Sequence, residues 1–271
     1  MRPLAALAAA LLVAALTPTA RGATTVTFPY QDAKLLAPGE KNGGLAYLAK
    51  GVEGADEPVP VVVFLHGLND RGLVHFWYGL QNYDLRPLVD DIVATGKVRP
   101  FVLAAPSQTV RATALSTIWT DFDLDTFLDA TEAALPAGVA IDRDAIVVVG
   151  HSGAGCNPSG GLLGLFSPFV AAKPIGVVAA DVCYDASTGA TLGAMPVGTQ
   201  VVAYYQPFTW WRDLDQFRAA FDKQIDREPG RMGSIVIEQK NSADPHNVIL
   251  ERALRETLPA LLPIEAPDPY P

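Results

Sequence analysis

Cysteine, histidine and runs of positive charge are scarce in this chain of 271 residues. Each shortage removes a class of function. There are two cysteines, Cys156 and Cys183, and four histidines, His66, His75, His151 and His246. They are too few and too scattered for a zinc site, so no metal is expected, and no cofactor. No Lys/Arg-rich run occurs and the formal net charge is −9, which argues against nucleic acid as a partner. Beyond the first twenty or so residues no stretch is long and apolar enough to span a bilayer, so no stable membrane insertion of the mature chain is expected. No internal repeat and no linker between two cores is visible.

What is present begins with Arg2 and the apolar segment Leu4–Leu16, closed by Pro18. This short positive-then-apolar pattern reads as a secretory signal peptide. Ala20 and Gly22 place small residues at −3 and −1 of a cut after Gly22; a cut after Ala20 is the alternative. The protein is therefore expected to be secreted or periplasmic. Losing Arg2 and Arg21 takes the net charge from −9 to −11. An exported chain meets an oxidising compartment, so Cys156 and Cys183 are expected to be bridged.

The whole chain is 49% hydrophobic, and the part after residue 22 alternates apolar runs with amphipathic ones. Strands are expected at Thr24–Phe28, Leu45–Lys50, Val59–Leu65, Phe101–Ala105, Ala145–Val149, Ile175–Ala180, Gln200–Tyr205 and Ser234–Glu238. Helices are expected at Asp84–Lys97, Asp121–Leu135, after Ser152, at Asp213–Ile225 and at Asn247–Leu262. Buried strands alternating with helices give a three-layer α/β/α sandwich around a mostly parallel sheet. Residues 1–22 read as the signal peptide, 23–262 as one domain and 263–271 as a Pro-rich extended tail. Only Cys183–Thr199 separates two of the strands, which leaves no room for a separate cap domain and points to an open cleft.

Residues 145–156 organise the rest. Five apolar residues, Ala145–Val149, run into Gly150-His151-Ser152-Gly153-Ala154-Gly155-Cys156. A buried strand feeding a serine flanked by glycines suits a sharp turn that presents one hydroxyl. The stretch resembles the nucleophile elbow of the α/β-hydrolase superfamily, Gly-x-Ser-x-Gly, with Ala154 in the place of the second glycine. The element order of most of the chain is similar to the same superfamily, and its secreted esterases and depolymerases are the members it most resembles.

That resemblance implies Ser152 as nucleophile. It also implies a catalytic base in the polar loop after the last strand, where His246 lies. His246 is also favoured by elimination, because His151 adjoins the serine and His66 ends a strand; His75 stays open. The acid has several candidates. Asp181 ends the strand after the elbow strand, where a carboxylate beside an apolar run needs a partner. The superfamily more often places its acid after the next strand, where Asp213 and Asp215 lie, although both are explained as helix-start aspartates. Asp185 is a further candidate. The oxyanion hole is expected from the backbone N–H of Gly153 and from Leu68 or Asn69, in the loop after His66-Gly67. Trp77, Tyr78, Trp119, Trp210 and Trp211 are expected to line the substrate cleft.

The expected function is hydrolysis of a small-molecule or polymeric carboxylic ester through an acyl-enzyme on Ser152. Amide or peptide cleavage, at a cell wall or polymer, would use the same groups. A binding protein without turnover on the same scaffold is the alternative outside enzymes.

Overall fold

The computed structural model describes residues 22–30, 42–69, 84–108, 115–166, 170–209 and 214–264. Eight strands form one sheet in the order β1-β2-β4-β3-β5-β6-β7-β8. These are β1 Thr24–Phe28, β2 Gly44–Leu48, β3 Val59–Leu65, β4 Val102–Pro106, β5 Ile141–His151, β6 Gly176–Ala180, β7 Gln200–Tyr205 and β8 Met232–Ile237. Only β2 is antiparallel to its neighbours β1 and β4; every other pairing is parallel. The Val- and Ala-rich β3, β4 and β6 are buried along their whole length, as strands covered on both faces must be. The expected α/β/α sandwich is what the chain forms.

Among the described residues the six helices are α1 Leu85–Ala94, α2 Leu124–Ala134, α3 Gly161–Gly164, α4 Ala186–Gly193, α5 Leu214–Ile225 and α6 Pro245–Leu261. Aspartates cap four of them: Asp84, Asp123, Asp185 and Asp244 each accept a backbone N–H of the following turn, which satisfies a donor the helix leaves open. In α1, Leu85, Leu88, Val89 and Ile92 form the buried stripe.

Two glycines show how the layers divide. A side chain at Gly150 would collide with Leu162 of α3, and one at Gly176 with Leu261 of α6. The register pairs Gly176 with Val147, three residues before Gly150. An odd spacing along a strand means opposite faces, so α3 and α6 cover opposite sides of the sheet. Arg255 of α6 reaches Asp91 of α1 at 3.1 Å, which puts α1 beside α6.

Two local expectations need correction. The helix expected after Ser152 does not follow it directly: Ser152–Gly155 make one 3-10 turn, which Cys156 ends, and α3 starts only at Gly161. Pro158 and the left-handed backbone of Gly161 (φ +53) interrupt helical propagation between them. The Cys183–Thr199 connection carries α4, which packs on α5 so closely that side chains at Gly189 and Gly193 would strike the carbonyls of Phe217 and Phe221. Pro263, the first residue of the expected tail, bridges to Val98. Cys156 and Cys183 are bridged, with an S–S distance of 1.99 Å. Among the described residues no helix is long and apolar enough to cross a membrane.

Candidate active site

The carboxyl ends of β3, β5, β6 and β7 converge on one place. The register pairs His151 of β5 with Ala180 of β6, so Ser152 and Asp181 are the next residues out of adjacent strands. Both have left-handed backbones, φ +55 and +48. A residue with a β-carbon avoids that region unless its surroundings hold it there, and such outliers gather at functional sites. The Cys156–Cys183 bridge ties the two strand exits together just beyond them.

Asp181 is almost wholly buried, and its Oδ2 accepts from Nδ1 of His246. With Nδ1–H committed to the carboxylate, Nε2 is the nitrogen that carries a lone pair. His246 follows Pro245 in the first turn of α6. Its ring packs against that of His151, with centroids 4.5 Å apart, and its backbone carbonyl accepts from His151 Nε2 at 2.8 Å. The histidine pair thus brings His246 to the end of β5, where half-buried Ser152 begins the turn.

Asp181 has a second partner. Gln206, fully buried just beyond β7, donates Nε2–H to the same Oδ2 at 2.6 Å. Its Oε1 accepts from the backbone N–H groups of Phe208 (2.8 Å) and Thr209 (2.9 Å). Two donors around Oε1 fix the amide in one orientation, so only Nε2 can face the aspartate. Asp181 itself is held by its backbone N–H, which donates to the Tyr204 carbonyl at 2.8 Å. Sequence reading did not single out Gln206. Its one signal is position, at the carboxyl end of a buried parallel strand.

The loop after β3 lies on the serine. A β-carbon on Gly67 would sit 2.7 Å from Ser152 Cβ and 3.0 Å from Oγ, and one on Gly153 would sit 3.2 Å from the Leu68 backbone nitrogen. Gly67 therefore has no room for a side chain against Ser152, and Gly153 sits close to the Leu68 backbone. Behind the loop, His66 is clamped: Nδ1–H donates to the Gly67 carbonyl at 2.7 Å and Nε2 accepts from Gln108 N–H at 3.0 Å. The Asn69 side chain donates to the Gln108 carbonyl at 2.9 Å.

Trp119 corrects an expectation. It does not face a cleft: it is fully buried, and its indole N–H donates to the His66 carbonyl at 2.9 Å. Its own backbone N–H donates to Gln108 Oε1 at 2.7 Å. An indole whose donor finds a buried acceptor packs inward, and Trp119 supports the loop after β3 from behind. Trp77, Tyr78, Trp210 and Trp211 lie outside the described residues, as do His75 and Asp213. Asp185 is occupied as the cap of α4, and Asp215 lies exposed in the first turn of α5.

The electrostatics separate the histidines. Burial pushes His66 down to about 4. Burial, followed by the neighbouring His246, pushes His151 down to about 3. Both are neutral at ordinary pH, and His66 has both ring nitrogens engaged. Among the described residues no group of three or more His, Cys, Asp or Glu is arranged to hold a metal ion.

No family model matches the sequence and no curated protein matches it. Solved structures match in fold. A feruloyl esterase module from Clostridium thermocellum, complexed with sinapinate, is similar with a TM-score of 0.58 and 9% identity, over 91% of this chain and 92% of that one. An acylaminoacyl peptidase from Pyrococcus horikoshii gives 0.55 and 13%, over 92% of this chain. A thermostable esterase gives 0.52 and 18%, over 86% of this chain. The chain spans 43% of the peptidase and 61% of the thermostable esterase. The fold is that of the α/β-hydrolase superfamily.

Proposed function

We propose that this chain is an exported serine hydrolase that cleaves carboxylic esters through an acyl-enzyme on Ser152. The observation that carries the reading is the pair of left-handed residues at adjacent strand exits, Ser152 and Asp181, with His246 bonded to the second and its ring packed on His151, the residue before the first. In this reading Ser152 Oγ attacks the ester carbonyl carbon while His246 Nε2 takes the hydroxyl proton. The imidazolium passes that proton to the leaving alcohol oxygen as the C–O bond breaks. Water then repeats the two steps on the acyl group, releasing the acid and restoring Ser152. Asp181 stays ionised throughout; it fixes the tautomer of His246 and stabilises its cation.

The oxyanion of each tetrahedral intermediate meets the backbone N–H of Gly153 and that of Leu68 or Asn69. The proximity of the Leu68 nitrogen to Gly153 favours Leu68. Losing one such donor typically costs about 3 kcal/mol in the transition state. Export is supported by the N-terminal segment and by a disulfide that uses both cysteines.

The test is turnover of a series of aryl esters of increasing acyl length beside the matching anilides, for the parent and for Ser152→Ala. Ester turnover that disappears in the variant supports the reading. Anilide turnover exceeding ester turnover would move the substrate class to amides, and activity retained by Ser152→Ala would overturn the nucleophile.

A further inference from the structure

At the opposite end of the sheet from the serine, one oxygen of a carboxylate lacks a donor. Asp90, on α1, accepts from the Tyr47 hydroxyl through Oδ2 at 2.6 Å. Burial, with the carboxylate next to it, raises the Tyr47 hydroxyl far above its ordinary value, so it remains a neutral donor. Oδ1 of Asp90 is buried with no hydrogen-bond partner. A carboxylate oxygen removed from water without a donor is destabilising. Asp90 borders a cavity of about 630 Å³, which Ala23, Lys50, Gly51, Val93 and Ala94 also line.

The register explains why Ala23 is there. Thr25 of β1 pairs with Tyr47 of β2, and directly opposed residues of an antiparallel pair share a face. That face meets α1, because Arg86 Nη1 donates to Thr25 Oγ1 at 3.2 Å and Tyr47 donates to Asp90. Two residues back along β1, from Thr25 to Ala23, is about 7 Å on the same face. One turn along α1, from Arg86 to Asp90, is about 6 Å. The step that carries Arg86 to Asp90 therefore carries Thr25 to Ala23. In the uncut chain the Ala23 nitrogen is a neutral peptide nitrogen with a single hydrogen.

We infer that export processing cuts between Gly22 and Ala23, and that the α-ammonium group released on Ala23 supplies the missing donor to Asp90. The inference rests on the export reading above. The step is hydrolysis by an export peptidase: the Gly22 C–Ala23 N bond breaks, and water gives its hydroxyl to Gly22 and a proton to the Ala23 nitrogen. The new amine takes a further proton at neutral pH. Small residues at 20 and 22 suit such a peptidase, and the acceptor at Asp90 gives that cut a structural consequence. An ammonium beside a carboxylate makes a charge-assisted bond that a peptide N–H does not match. The mature form then gains stability that the precursor lacks.

The experiment begins with the full-length chain expressed with export, the exported fraction being sequenced from its N-terminus. Ala23 is the expected first residue; Arg21 or Met1 in that position would overturn the assignment. Absence from the exported fraction would count against export itself, and so separates the two failures. Melting is then compared for the chain beginning at Ala23 and for one that keeps Arg21-Gly22 ahead of it, each with and without Asp90→Asn. The substitution is expected to lower the midpoint by several degrees in the first and by less than about one degree in the second. Ester turnover at 25 °C should be unchanged. Equal loss in both forms overturns the pairing. So does a loss that is abolished by Lys50→Gln while insensitive to the extension, which would make Lys50 the partner. Because the extension alone is expected to lower the midpoint with Asp90 intact, the pairing stays testable even if Asp90→Asn folds poorly.

Discussion

Strands β5 and β6 on one side and β7 on the other are all buried and parallel, yet they end differently. β5 and β6 leave the sheet through residues with left-handed backbones and polar side chains, Ser152 and Asp181, and a disulfide joins the loops beyond. β7 leaves through Gln206, which is absent from the left-handed residues and whose amide is saturated on both ends. The superfamily resemblance leads one to look for an acid after β7. In this chain a neutral amide stands there and points its N–H at the carboxylate one strand away. In the proposed reading the acid has a place and a support on separate strands: β6 carries Asp181, and Gln206 beyond β7 carries a donor to it.

The largest effect is expected from breaking the β6 side. Asp181→Asn keeps the size but favours the wrong tautomer of His246, so kcat should fall by about 10⁴-fold with melting nearly unchanged. Asp215→Asn, on the exposed turn of α5, should alter kcat by less than about twofold. Steady-state kinetics and a melting curve on the two variants check this together, and the reverse ranking would move the acid to the β7 side.

Weakening the support should cost less. Gln206→Leu removes one of the hydrogen bonds to Asp181 while leaving the carboxylate and histidine in place. A hydrogen bond to a charged group is worth about 1.5–3 kcal/mol, so kcat should fall about 10- to 100-fold. The loss should fall on kcat and not on KM, because Gln206 holds Asp181, and through it His246, in place. A loss in melting without a change in kcat would make Gln206 a packing residue only.

The clamp between the two exits comes next. Cys156 and Cys183 are 27 residues apart, a loop for which chain-entropy estimates give about 3–4 kcal/mol. The double Cys→Ala variant should melt about 10 °C lower, measured by calorimetry. Its turnover at 25 °C should fall less than that of Gln206→Leu, since no hydrogen bond to Asp181 is removed.

How legible this was in the sequence follows the physics of each signal. Val59–Leu65, Ile175–Ala180 and Gln200–Tyr205 are short apolar runs with sharp ends, and strands form at all three. The bridge was legible because two cysteines in a chain expected to be exported lie just past neighbouring strand ends. The helix α4 was not: Ala186–Gly193 is rich in Ser, Thr and Gly, poor helix formers, and it holds because its glycines allow close packing on α5. Trp119 was misread as cleft-lining because nothing local marks an indole whose acceptor, the His66 carbonyl, is 53 residues away. Gln206 and the stacking of His151 on His246 were invisible for the same reason: each is defined by a contact between distant segments.

A further effect, on stability and not on turnover, comes from the two neutral histidines beneath the site, and it sharpens the contrast between scaffold and working groups. Their folded values, about 4 for His66 and about 3 for His151, lie below the ordinary 6.5. The unfolded chain therefore takes up protons first, so stability is full above pH 6.5 and declines as the pH falls towards 4 and then 3. Each unit of separation corresponds to about 1.4 kcal/mol. Urea unfolding between pH 7 and 4 should show this decline, and His151→Asn should flatten it. An unchanged slope in the variant would mean that His151 is not held neutral.

The most direct measurement is intact-mass and peptide mapping of the protein after exposure to a fluorophosphonate, for the parent and for His246→Ala. The serine assigned to the end of β5 predicts a single adduct, on the peptide that contains Ser152, formed far more slowly in the variant. Folded protein that takes no label, or takes it at another residue, would contradict a nucleophile at Ser152.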